Sequence, residues 1–308
     1  MTRRNLFGSV LCAAAGTCSC DPKRSESSVR LASVARQFDL AILPMLWAGL
    51  ESIAISASGA DAGNLRLTAP AWSVSVSLDA NWIAWFPRAS LPPPIGVDAR
   101  KVFFVGLDAS ASSAMPPGVY ARLLSLSAGA QRLAVTSADQ RLLILNPGTG
   151  GLERDLTGLV TQFPIGSVER LCISANGQRL AVGTREMLVV LDLTPGRALL
   201  EQEGRFPCLS PDGNSIAFIR NAKELISMSV TARIGKKVVN GWTDILGLGA
   251  WSPDGSFLLA GVRGPLGFFT KLAAIDCTTG GITDIVAELP EGSLGEQSAW
   301  VSRRLLSR

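Results

Sequence analysis

Four arginines recur at one phase of the chain. Arg88, Arg185, Arg220 and Arg263 fall 11, 11, 10 and 11 residues after Ser77, Ser174, Ser210 and Ser252, and Arg308 takes a comparable place at the end. A guanidinium offers a planar fork of donors to carboxylate or phosphate. Arginines gathered on one face would therefore funnel an anionic partner, such as an acidic peptide, a phosphate or an acidic glycan. Arginine also braces loops by pairing with a nearby carboxylate, and the sequence leaves both roles open. Trp242, in Asn240-Gly241-Trp242-Thr243-Asp244, falls in a connection at the same end of the repeat and is a candidate exposed anchor for a partner.

Other chemistry is narrowed by what the chain lacks. It has no histidine, which removes Ser-His-Asp and Cys-His catalysis and imidazole-ligated metals. No cysteine spacing resembles a zinc site, no Gly-x-Ser-x-Gly elbow stands in a hydrolase context, and no catalytic residue, metal or cofactor is assigned. Asp79, Asp212 and Asp254 lie in turns, where an Asp side chain accepts backbone N–H bonds, and are read as structural. A glycan-active enzyme would need two carboxylates converging at one opening.

The elements that carry these residues are repeats. Phe206 to Phe218 reads FPCLSPDGNSIAF, and Gly249 to Ala260, Leu171 to Val182, Leu124 to Val135 and Val74 to Trp85 align with it on Ser252, Ser174, Ser127 and Ser77. Asp-Gly between two apolar runs is a hairpin signal, because the turn needs residues that tolerate positive φ. Third strands lead into polar turns at 147–150, 193–196 and 277–280, and weaker fourth strands follow at 197–200, 237–240 and 282–289. Anchor spacings of 50, 47, 36 and 42 residues suit the blades of a β-propeller, whose small sheets bury their faces only by stacking around an axis.

The expected fold is thus an all-β propeller of six four-stranded blades, or seven if residues 31–50 add strands of their own. Ser298-Ala299-Trp300 matches Gly249-Ala250-Trp251, and 303–307 would be the second strand of the last blade. Residues 52–56 and 64–68 would supply its outer two strands, pairing the N- and C-terminal segments and removing open sheet edges. Blade one, interrupted by prolines, shows no identifiable fourth strand. Cys172 and Cys208 both sit two residues before an aligned serine. Strands of adjacent blades are expected to lie beyond the roughly 7 Å Cα separation that a disulfide spans, so both are read as small buried apolar residues.

Residues 1–20 combine Arg3 and Arg4, an apolar run of about a dozen residues and small residues at the end, the layout of an export signal too short to span a bilayer. The net charge is +4, and +2 without this leader; no basic stripe with interleaved aromatics points to nucleic acid. Residues 21–30 read as a polar tether, and 31–308 as one propeller domain.

Three stretches resemble known signals. Thr2-Arg3-Arg4-Asn5-Leu6-Phe7 resembles the twin-arginine export motif, and Thr17-Cys18-Ser19-Cys20 resembles a bacterial lipobox, which implies acylation of Cys20 and a lipid anchor. Ser210 to Phe218 and Ser252 to Ala260 resemble the WD-repeat-like repeat of TolB-type propellers, and the likeness runs from about Trp72 to the end. It implies the propeller fold; taken with the leader, the expectation is a non-enzymatic, monomeric propeller outside the cytoplasm, in the bacterial periplasm or envelope, presenting loops to a protein or peptide. Binding of a small anion or envelope carbohydrate is the alternative, and the same repeat occurs in proteins of varied function.

Overall fold

Each Ser-x-Asp/Asn-Gly run closes its own turn. In the computed structural model, which describes residues 29–34, 37–42, 50–56, 64–87, 101–106, 110–114, 121–221, 224–239, 245–263, 270–286 and 298–302, Ser77, Ser174, Ser210 and Ser252 are all buried. Their Oγ atoms accept the N–H of the residue five later: Trp82 at 3.1 Å, Arg179 at 3.0 Å, Ser215 at 2.9 Å and Phe257 at 2.9 Å. Each hydroxyl donates in turn to the residue two later, Asp79, Asn176, Asp212 or Asp254. The third residue has positive φ, 65° at Gly177 and 73° at Gly213 and Gly255, where a Cβ is disfavoured. Ala80 holds the same conformation at 60°.

A helical turn at 29–34 precedes the strands, and its Leu31 and Val34 are buried against Phe257 and Leu259. Then come β1 (Phe38–Ile42), β2 (Leu50–Ser56), β3 (Asn64–Val76), β4 (Trp82–Pro87), β5 (Lys101–Gly106) and β6 (Ser110–Ala114). Next are β7 (Ala121–Leu126), β8 (Leu133–Ser137), β9 (Leu142–Leu145) and β10 (Leu152–Asp155), followed by β11 (Arg170–Ile173), β12 (Arg179–Gly183), β13 (Met187–Asp192) and β14 (Arg197–Glu203). The remainder is β15 (Arg205–Leu209), β16 (Ser215–Arg220), β17 (Glu224–Ser229), β18 (Gly235–Val239), β19 (Ile245–Trp251), β20 (Phe257–Arg263), β21 (Thr270–Asp276), β22 (Ile282–Val286) and β23 (Ser298–Ser302).

The strands from β7 to β22 make four antiparallel four-stranded sheets, each built of consecutive strands, and these are propeller-like blades. The fifth sheet has seven strands in the order β23-β1-β2-β3-β4-β5-β6. It holds together through β3, whose 64–71 stretch pairs with β2 and whose 71–76 stretch pairs with β4. Two expectations change here. Blade one does have a fourth strand, β6, paired with β5 through a run of Ser and Ala that carries no apolar alternation. The place beside β23 that 303–307 was expected to fill is taken by β1, in register from Phe38↔Ser302 to Ile42↔Ser298; 303–308 lie outside the described residues.

Sheets bury both faces because their strands alternate. In β12 and β13, Leu180, Val182, Val189 and Leu191 pack with Leu142 and Ile144 of the preceding sheet. Ala181, Leu188 and Val190 pack with Ile216 and Phe218 of the following one. The first strands stand side by side: β7 next to β3 and β11, β11 next to β15, β15 next to β19, and β19 next to β23. Turns also link sheet to sheet, since Ala128 N–H donates to Ala175 O at 3.0 Å and Ala175 N–H to Pro211 O at 2.9 Å.

Candidate functional site: the arginine end and the inner wall

The end opposite the Ser-x-Asp turns carries three of the five expected arginines, Arg185, Arg220 and Arg263. Arg185 sits in the β12–β13 loop and its Nε donates to Glu169 at 2.7 Å, with the side chain 85% exposed. Arg220 closes β16 and binds Glu224 across the hairpin at 2.9 and 3.1 Å. Glu224 also accepts from Lys237 at 3.0 Å, and Lys237 first, then Arg220, holds its carboxyl below the ordinary range. Arg263 ends β20 opposite Thr270. Arg88, Trp242, Cys20 and Arg308 lie outside the described residues. Arg185 and Arg220 therefore brace their own blades, although the exposed Arg185 pair is of the kind worth little in stability.

A second set of arginines at this end is absent from the reading of the sequence. Arg122, Arg170 and Arg205 begin or nearly begin β7, β11 and β15, five, four and five residues before Ser127, Ser174 and Ser210. The same phase that located the first set would have located these, had it been followed upstream. Arg122 donates to Gly166 O at 2.5 Å and to Val168 O. Arg170 reaches past β15 to Gly249 O of β19 at 3.0 Å. Arg205 lies over the Phe206 ring, 5.3 Å from its centre, and its Nε is buried with no hydrogen-bond partner.

Below the arginines, the side chains two residues before Ser77, Ser127 and Ser174 stitch the first strands together. Ser75 Oγ accepts from Leu126 N–H at 3.2 Å, Ser125 Oγ from Ile173 N–H at 3.0 Å, and Cys172 Sγ from Leu209 N–H at 3.2 Å. Trp251 Nε1 donates to Cys208 O at 3.0 Å. Cys172 and Cys208 are buried free thiols, as expected, but Cys172 is a hydrogen-bond acceptor rather than a purely apolar filler.

The turn carboxylates do not converge. Asp79, Asp212 and Asp254 occupy three separate turns, each accepting bonds within its own turn. Partial burial pushes the Asp212 and Asp254 carboxyls up, but bonds from Ser210 and Asn214, and from Ser252 and Ser256, outweigh it and leave both below the ordinary range. Their stabilising effect is thus present above the unfolded-state value of about 3.9 and disappears as pH falls through the lower folded value. Replacing both by Asn, which serves in this role at Asn176, is expected to flatten the fall of the melting temperature below about pH 4. Melting curves from pH 2.5 to 5 check this; an unchanged slope would refute it.

No family model matches the chain, and no curated protein does. Among solved structures it is similar to a chain in the crystal structure of a mitotic checkpoint complex, at 16% identity and a TM-score of 0.47, over 68% of this chain. It spans 61% of the length of that chain.

Proposed function

We propose that the protein is a six-bladed propeller of the bacterial envelope, held to a membrane through Cys20, that binds an acidic segment of an envelope protein at its arginine end. The blade count takes the seven-stranded sheet as two blades fused through β3, with β23 as the first strand of the last. Export and anchoring rest on the leader and its Cys20. The observation that carries the binding reading is the gathering of Arg185, Arg220, Arg170 and Arg205 at one end of neighbouring blades, with Arg185 largely in solvent. Scattered, internally bonded turn carboxylates favour binding over glycan chemistry.

Crosslinking and pull-down of the mature form from membranes tests the reading, together with the mass of its N-terminus. Arg185→Ala with Arg220→Ala is expected to lower capture roughly tenfold and to weaken its salt dependence. Surface pairs of this kind barely affect folding, so capture that stays unchanged in the double variant overturns the proposal. A second reading, a small anion held beside the first strands of the blades, is favoured by Arg205, whose buried Nε has no partner.

A further inference from the structure

We propose that Cys172 and Cys208 form a peroxide-sensitive dithiol in the inner wall, closing to a disulfide that staples β11 to β15. The two cysteines hold the same register position in neighbouring blades, opposite Ala181 on β12 and Ala217 on β16. The Leu209 N–H that follows Cys208 donates to Cys172 Sγ at 3.2 Å, so the two first strands, expected from the sequence to stand too far apart for a bridge, are drawn together at this level. Hydrogen bonding alone does not call for sulfur here, because Ser75 and Ser125 do the same work with oxygen in the preceding blades.

The surroundings assign different roles to the two thiols. Cys172 is 7% exposed and Cys208 1%. The neighbouring Cys208 thiol, then the charge of Arg170 two residues away on the same strand, hold the Cys172 thiol below its ordinary range; burial first, then Cys172, pushes Cys208 well up. Cys172, the more exposed of the two and the one with Arg170 on its own strand, is the attacking thiolate, and Cys208 is the resolving thiol. Hydrogen peroxide, scarcely larger than water, is the oxidant. The Cys172 thiolate attacks one peroxide oxygen, the O–O bond breaks, hydroxide leaves and a sulfenic acid forms. Cys208 then attacks that sulfur; its proton and the departing hydroxyl make water, and the S–S bond closes.

The test uses the purified full chain treated with hydrogen peroxide, blocked, digested with trypsin without reduction, and read by mass spectrometry. The expected product is LCISANGQR joined to FPCLSPDGNSIAFIR, about 2 Da below the sum of the two peptides and separated by dithiothreitol. The oxidised protein should melt on the order of 5 °C higher, because the bridge constrains the unfolded chain. Cys277, whose thiol burial and then Asp276 push up to about 12, should react more slowly. In Cys208→Ser the Cys172 sulfenic acid should persist and be trapped by dimedone, whereas Cys172→Ser, which restores the bond seen at Ser125, should fold normally and leave Cys208 unoxidised. Absence of the linked peptide in the folded wild type, or oxidation of Cys277 ahead of Cys172, overturns the proposal.

Discussion

Phe218→Ala is expected to lower the unfolding free energy by about 3–5 kcal/mol, the range for removing a fully buried aromatic ring. Phe218 is 0% exposed on β16, opposite Ile226 of β17. Its ring lies against Gly204, in the connection between β14 and β15, where a Cβ would come within 2.5 Å of Cδ2. Gly204 is pinned in turn, its N–H donating to Glu186 O at 2.7 Å. With both ends of the contact fixed, the space left by the ring cannot collapse, which favours the upper part of the range. Denaturant melts followed by tryptophan fluorescence read the effect. A loss under about 1 kcal/mol would mean that the blades slide to fill the gap.

Asp276→Ala is expected to cost about 2–4 kcal/mol, because it removes a buried carboxylate that accepts from two backbone donors and pairs with the half-exposed Arg30. The Asp276 side chain is 0% exposed. It accepts from Thr278 N–H at 2.8 Å and Thr279 N–H at 3.1 Å, shaping the turn that ends β21, and it binds the Arg30 guanidinium of the N-terminal helical turn. Asp276→Asn keeps an acceptor for the turn and should cost less. Equilibrium denaturation of both variants checks this ordering, and hydrogen exchange should show the 29–34 turn opening in the Ala variant. Equal stability of Ala and Asn variants would assign the effect to the ion pair alone.

The phase of the repeat was legible because its turn chemistry is local. Ser210, Asp212 and Gly213 each satisfy a neighbour within five residues, so the letters themselves state the geometry. The third-to-fourth turns were legible for the same reason, with Asn146, Asp192 and Asp276 each accepting a backbone N–H two residues on. What escaped the sequence was settled by long-range pairing. β1 stands beside β23 through partners more than 250 residues away, such as Leu40↔Trp300, and no local signal announces that. β6 is a strand by position, since its Ser and Ala side chains lack any pattern that period-2 reasoning can detect. The helical turn at 29–34 is too short for a periodic signal, and its Arg30 is fixed by a residue of the last four-stranded sheet.

The candidate site divides along the same line. That Arg185 and Arg220 share one end of their blades followed from the phase, but their partners did not. Glu169 meets Arg185 because β11 pairs with β12 in the register Arg170↔Gly183, and Glu224 meets Arg220 because the two stand opposite each other in the β16–β17 ladder, registers that the spacing of the arginines does not state. Arg170 is the extreme case, since its carbonyl partner Gly249 is 79 residues away, on a strand two blades further round. Spacing finds which residues share a face; it does not find which of them reach across.

The position of β1 has a mechanical consequence. A strand flanked on both sides by antiparallel partners, and pulled from its leading end at Phe38, is loaded parallel to its own axis. Its ladders to β23 and β2 must then yield together rather than unzip one rung at a time. Tension entering from the N-terminal side therefore meets the 29–34 turn docked on β20 and β21 first, and once that turn is pulled free the β23–β1–β2 seam carries the load as shear.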